Sequence, residues 1–120
     1  MEKDLKDILL KDLCARLPYG VKVESVFINP DTKEHKSCGI EVFDATSILM
    51  IRDGLGEFKP YLFPLSSMTE EQRNEYHELL YDPIHGINID YFDWCHKNHL
   101  DCRGLIPKGL ALDATGLNIY

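Results

Sequence analysis

Leu5, Ile8, Leu9, Leu13 and Leu17 recur at three- and four-residue intervals, with lysines and aspartates between them. That period predicts an amphipathic helix over residues 2–17 with one buried stripe. Pro18 and Gly20 end it, proline by removing a donor and glycine by permitting the turn. The next run, VKVESVFIN (21–29), first alternates and then turns continuously apolar and β-branched, the pattern of a strand. Asn29-Pro30-Asp31 is a breaker group, and the polar residues 32–37 are expected to complete a hairpin loop. GIEVF (39–43) and SILMIR (47–52) read as two further strands separated by the turn-prone Asp44-Ala45-Thr46. Short connections cannot make parallel crossovers, so a three-stranded antiparallel meander is expected.

In the second half, KPYLFPL (59–65) brackets an apolar trio between two prolines. Neither a helix interior nor a central strand suits it, so an extended segment held by its aromatics is expected. Thr69 with Gln72 three residues later, and Glu70 and Glu71 in the first turn, mark a helix start against which Met68 can fold. This helix is expected over 69–81, burying Tyr76, Leu79 and Leu80, and stopping at Asp82-Pro83. Asn88 or Asp90 can cap a shorter helix reaching residue 98, with Tyr91, Trp94 and Cys95 on one face and Asp93 and Lys97 turned away. Residues 103–120 are glycine-punctuated yet apolar, which suits a packed extended cover better than a linker. The pattern as a whole predicts a single α+β domain: an N-terminal helix, a small antiparallel sheet, two helices in the C-terminal half and an extended apolar tail.

Composition adds bounds. A chain of 120 residues, 44% hydrophobic and 28% charged, is the size of one domain with one core and lacks the signature of disorder. Its longest aliphatic run, Ile48 to Ile51, is far too short to cross a bilayer. The N-terminal MEKDLKDILLKDL is acidic where a secretory signal needs a basic start, so a cytoplasmic protein with no membrane partner is expected. The four cysteines are then expected as reduced thiols. The net charge of −7 is unevenly spread, since residues 69–101 hold eight acids and two bases, a net of −6. Such a region repels phosphate backbones, so direct nucleic-acid binding is disfavoured and a basic protein partner is favoured.

The stretch DWCHKNHLDC (93–102) carries the candidate chemistry, with Cys95, His96, His99 and Cys102 within eight positions. Structural zinc sites draw ligands as two close pairs that meet tetrahedrally. On a helix Cys95 and His99 share one face and His96 and His99 a neighbouring one, but Cys102 falls past the helix end. A thiol nucleophile is favoured at a helix N-terminus beside an imidazole, whereas these cysteines lie near a C-terminus, where the dipole raises a thiol pKa. Packing roles are therefore expected for all four, with no catalytic residue, no metal and no cofactor. No phosphate-binding glycine loop, nucleophile elbow or His-Glu-x-x-His is present. Glu71, Glu75 and Glu78 lie on or near one helix face and read as a solvated acidic surface. Tyr91-Phe92 with Trp94 supplies aromatic anchors of the kind interfaces use, and Arg103 can bind an anion or pair with Asp101 or a carbonyl. The expected partner-binding residues are Glu71, Glu75, Glu78, Tyr91 and Arg103.

Two stretches, KPYLFPLSSMTEEQ (59–72) and DWCHKNHLDCRGLIPKGLAL (93–112), resemble a family of small uncharacterised proteins of gut-bacterial genomes and their phages or mobile elements. The resemblance covers roughly the C-terminal half and implies no activity, only a phage-like or mobile-element context. In such look-alikes tyrosine often stands at the position of Cys102 and leucine at that of Cys95, which speaks against a shared metal-ligand role. The expected function is a non-enzymatic cytoplasmic interaction module using the acidic helical surface. The alternatives are a small zinc or thiol enzyme built on Cys95, His96, His99 and Cys102, or an acidic decoy that mimics nucleic acid.

Overall fold

The computed structural model describes residues 3–80 and 90–120. In chain order the elements are α1 (Lys3–Ala15), β1 (Lys22–Ile28), β2 (His35–Val42), α2 (Ala45–Arg52), β3 (Gly56–Leu62), α3 (Glu70–Leu80), α4 (Asp90–Lys97) and β4 (Leu112–Asp113). One-turn 3-10 segments follow α1 and precede α3. The fold is α+β, with four helices and a four-stranded mixed sheet among the described residues.

The first two elements follow the apolar pattern. Leu5, Ile8, Leu9, Leu13 and Leu17 of α1 and the turn after it pack with Val21, just before β1, and with Val23, Phe58 and Leu62 of the sheet. The hairpin loop is shorter than expected, because the Asn29 side chain accepts bonds from the Asp31 and Thr32 amides and β2 resumes at His35. Along β1 the register slips opposite Ser25 and Val26, leaving Cys38 as the extra residue. Gly39, at φ +82, supplies the backbone conformation this bulge needs.

The expected third strand, 47–52, is instead helix α2. Asp44 is its cap: the Asp44 carboxylate accepts from the Ser47 amide at 3.0 Å and the Ser47 hydroxyl accepts from the Asp44 amide at 3.3 Å. This reciprocal pair satisfies two free amides of the first turn and outweighs the modest β preference of the β-branched residues that follow. The meander is overturned with it. The third strand is β3, which returns beside β1 rather than β2, giving the order β2-β1-β3-β4.

β3 contains Pro60, so the exclusion of this segment from a central strand also fails. The reason lies in the ladder. Ile28 donates to the Leu55 carbonyl, and alternation along the antiparallel pair then makes Val23 and Pro60 a non-hydrogen-bonded pair. Proline's nitrogen faces away from β1, towards the side where β4 begins to pair only at Tyr61. Gly56 opens β3 where a side chain has no room, since a Cβ there would meet the Phe58 ring at 2.9 Å.

α1, α2 and the tail pack on one face of the sheet. Leu105, Leu110 and Ala111 are buried in the main core, as a packed cover requires, with Phe43 set edge-on to Phe58. A second cluster, formed by Tyr91, Cys95 and Leu100 with Phe63, Met68, Tyr76 and Trp94, joins α3 and α4 to the end of β3. The α3 cap forms as expected, with Thr69 and Gln72 bonded reciprocally at 3.0 and 3.2 Å. The expected roles of Asn88 as a cap and of Tyr81, Asp82 and Pro83 at the end of α3, and the burial of Leu79 and Leu80, lie outside the described residues and side chains. No helix among the described residues is long and apolar enough to cross a membrane.

Candidate functional site

Asp12, in the last turn of α1, and Arg16, the residue just past its end, stand four positions apart and are both fully buried. The Arg16 guanidinium grips the carboxylate through two bonds of 2.8 and 3.1 Å and donates a third to the Leu100 carbonyl at 2.7 Å. A buried charge of this kind persists only when paired and hydrogen-bonded. The apolar pattern treats Asp12 as one of the polar spacers of the stripe and gives Arg16 no role. The signal available was their i, i+4 spacing around buried Leu13.

α4 delivers the remaining groups by the way it ends. The His99 amide donates to the His96 carbonyl and the Leu100 amide to the Cys95 carbonyl, a Schellman closure with His99 in the left-handed region at φ +57. This reverses the chain and buries Leu100 beside Cys95. The strand line of β3 then holds the reversed segment, Phe63 donating to the His99 carbonyl and accepting from the Asp101 amide. Asp101, also buried, accepts from the amides of Leu105 and Ile106 at 2.7 and 2.9 Å and so fixes the turn that carries Cys102 and Arg103. It does not pair with Arg103, contrary to one expected reading of that arginine.

Arg103 instead crosses to α1. Its Nη1 donates to Asp12 Oδ1 at 2.7 Å and to His96 Nε2 at 2.8 Å, and lies 3.8 Å from Cys102 Sγ. Arginine has no acceptor, so His96 Nε2 is the acceptor and its ring proton sits on Nδ1. Three of the four Cys and His side chains therefore converge, which the expectation of scattered packing roles did not foresee. His99 is the exception. Its ring stacks on Tyr120 at 3.7 Å, and Tyr120 is anchored by the Lys22 amide and the Tyr61 carbonyl. Burial, with Arg16 and Lys22 nearby, lowers the His99 pKa to about 4.

The charge count governs the rest. Two guanidiniums surround one carboxylate, leaving a positive excess beside the two thiols. The Cys95 thiol is turned to Cys102 and is held well above the ordinary range by that interaction and by burial. Cys102 moves the other way, below the ordinary thiol range, because Cys95 donates to it and nearby His96, Arg16 and Arg103 favour its anion over the opposing effect of burial. The expectation that both thiols share a helix C-terminal dipole fails for Cys102, which the Schellman reversal carries off the helix axis and towards the arginines.

Among the described residues, no group of three or more His, Cys, Asp or Glu side chains is arranged to hold a metal ion. The reason is visible: Arg103 occupies the centre that ligands would share, and His99 faces the tail. No known protein family, curated protein or solved structure matches this chain. Two clefts, of about 360 and 340 Å³, lie elsewhere, one on the open sheet face around Glu24, His35 and Lys59 and the other between α1, Ile51 and Phe58.

Of the expected partner-binding residues, Glu71, Glu75 and Glu78 are exposed on α3. Glu75 has an internal role as well, accepting from the Trp94 indole at 2.7 Å and so tying α3 to α4. Tyr91 is buried, only 7% exposed, edge-on to Tyr76, and presents no contact surface; its position i+4 to Cys95 puts it on the core face of α4. Arg103 is committed to Asp12, with the exposed Phe92 ring stacked against its guanidinium.

Proposed function

We propose that this chain is a non-enzymatic, cytoplasmic interaction module of phage or mobile-element origin that binds a basic protein through the outer face of α3. One observation carries the reading. Glu70, Glu71, Glu75 and Glu78 are all exposed, and among the described residues none of them is used in an ion pair. The single arginine of the helix, Arg73, turns back to the Ser66 carbonyl. Charge of one sign displayed on the outside of a helix steers an oppositely charged partner and sets its register.

The helix is held in place by its cap and by Tyr76 packed between Tyr91 and Trp94, so the acidic face is presented on a fixed frame. The mobile-element origin rests on the resemblance of the KPYLFPLSSMTEEQ and DWCHKNHLDCRGLIPKGLAL motifs. The test is quantitative capture from bacterial lysate by the parent chain and by a Glu71→Lys/Glu78→Lys variant, at low and high salt. Glu75 is left intact because it anchors Trp94. A basic set of proteins should be retained by the parent at low salt and lost from both the variant and the high-salt wash. Equal recovery by the two chains counts against the proposal.

A further inference from the structure

Two thiols with opposite environments meet at the junction of α1, α4 and the tail. Cys95 is fully buried on α4, while Cys102 is half-buried on the turn that follows, and both pack in the same cluster. The groups facing them are Asp12 from α1 and Arg16 just after it, Tyr91 and His96 from α4, and Arg103 from the turn. These supply two permanent cations and one permanent anion. One nitrogen of the fully buried Arg16, Nη1, has no hydrogen-bond partner. With two guanidiniums against one carboxylate these surroundings favour an anion, and Cys102, 3.8 Å from the Arg103 guanidinium, is the group that can become one.

We propose that Cys102 and Cys95 form a reactive dithiol that is oxidised to an internal disulfide by low-molecular-weight disulfides. The Cys102 thiolate attacks one sulfur of the small disulfide; a new S–S bond forms, the old one breaks, and the departing thiolate takes a proton from water. The Cys95 thiol then attacks Cys102 sulfur, the S–S bond to the small thiol breaks, and the Cys95 proton passes to the departing thiolate, which leaves as the second small thiol. Two electrons pass from the protein dithiol to the reagent, which leaves as two thiols. The division of labour follows from access: Cys102 is the sulfur that solution reagents reach, and Cys95, sealed in the core, meets only Cys102. The lowered pKa of Cys102 is consistent with this assignment.

The experiment uses the full chain with Cys14 and Cys38, both exposed, changed to serine so that only the pair remains. Oxidised glutathione is the probe. Mass spectrometry should show a product lacking two hydrogens, with peptides containing Cys95 and Cys102 joined. A Cys95→Ala variant should stop at a stable glutathione adduct on Cys102, and Cys102→Ala should leave Cys95 unmodified. Iodoacetamide at about pH 6, where an ordinary thiol is under about 1% ionised, should alkylate Cys102 about tenfold faster in the folded chain than in urea, after allowing for the weaker nucleophilicity of a low-pKa thiolate. A persistent glutathione adduct in the chain that retains both cysteines overturns the dithiol. So does alkylation of folded Cys102 no faster than in urea. Both of these readings need no variant at either cysteine.

Discussion

Replacing Asp12 by asparagine keeps the shape of the side chain and removes the only carboxylate between two guanidiniums. In the folded chain Asp12 is fully buried and receives three N–H bonds, two from Arg16 and one from Arg103, at 2.7–3.1 Å. Arg16 is itself fully buried and cannot turn to water. Removing one partner of such a pair leaves an uncompensated buried charge, which costs about 3–5 kcal/mol. For a domain whose whole stability is on the order of 5–15 kcal/mol this is a large fraction, and it corresponds to a fall in Tm of roughly 10–20 °C. Urea unfolding followed by tryptophan fluorescence should show the midpoint displaced with an unchanged slope, and the loss should be insensitive to salt because the pair is sealed from solvent. An Asp12→Leu/Arg16→Met double variant removes both charges together and should recover much of the loss. A loss under about 1 kcal/mol for Asp12→Asn would refute the claim that this cluster locks α1 to α4.

Three further outcomes follow from the same structure. Asp101→Ala removes both acceptors of the Leu105 and Ile106 amides and should cost about 2–4 kcal/mol, with faster hydrogen exchange at those two amides as the local signature. Thr69→Ala removes half of the α3 cap and should cost about 1 kcal/mol while leaving Cys102 reactivity unchanged. His99 stays neutral in the folded chain down to about pH 4, whereas in the unfolded chain it takes up a proton near its ordinary pKa of about 6.5. Stability should therefore fall as pH drops from about 6.5 towards 4, by on the order of 2–3 kcal/mol from this residue. His99→Asn, which suits the left-handed backbone, should lack that part of the decline; identical pH profiles for the two chains would contradict it.

How much of this was legible in the sequence depended on whether the signal was local. The cap at Thr69-Gln72 and the stripe of α1 are spelled out within a few residues, and both elements formed where the pattern placed them. Asp44-Ala45-Thr46-Ser47 carried an equally local cap, but the apolar SILMIR that follows masked it, because a short apolar run has no period to separate strand from helix. Pro60 misled for a geometric reason: whether proline disrupts a strand depends on which side its nitrogen faces, and that is fixed only once β1 and β4 are placed. Arg103 is the extreme case. Its true partner, Asp12, is 91 positions away, and nothing near Arg103 distinguishes that pairing from one with adjacent Asp101. The convergence of Cys95, His96 and Cys102 likewise depends on His99 taking a left-handed backbone that glycine or asparagine would have announced and histidine did not.

The central claim, that the outer face of α3 is the recognition surface, is tested most directly by the association rate of the most enriched captured protein, purified and measured against the parent chain and Glu71→Lys/Glu78→Lys across a salt series. Steering by an acidic face predicts a rate that falls steeply with salt for the parent, and one lower by tenfold or more at low salt for the variant, with both chains converging at high salt. Rates that coincide at every salt concentration would show that the acidic helix takes no part in recognition.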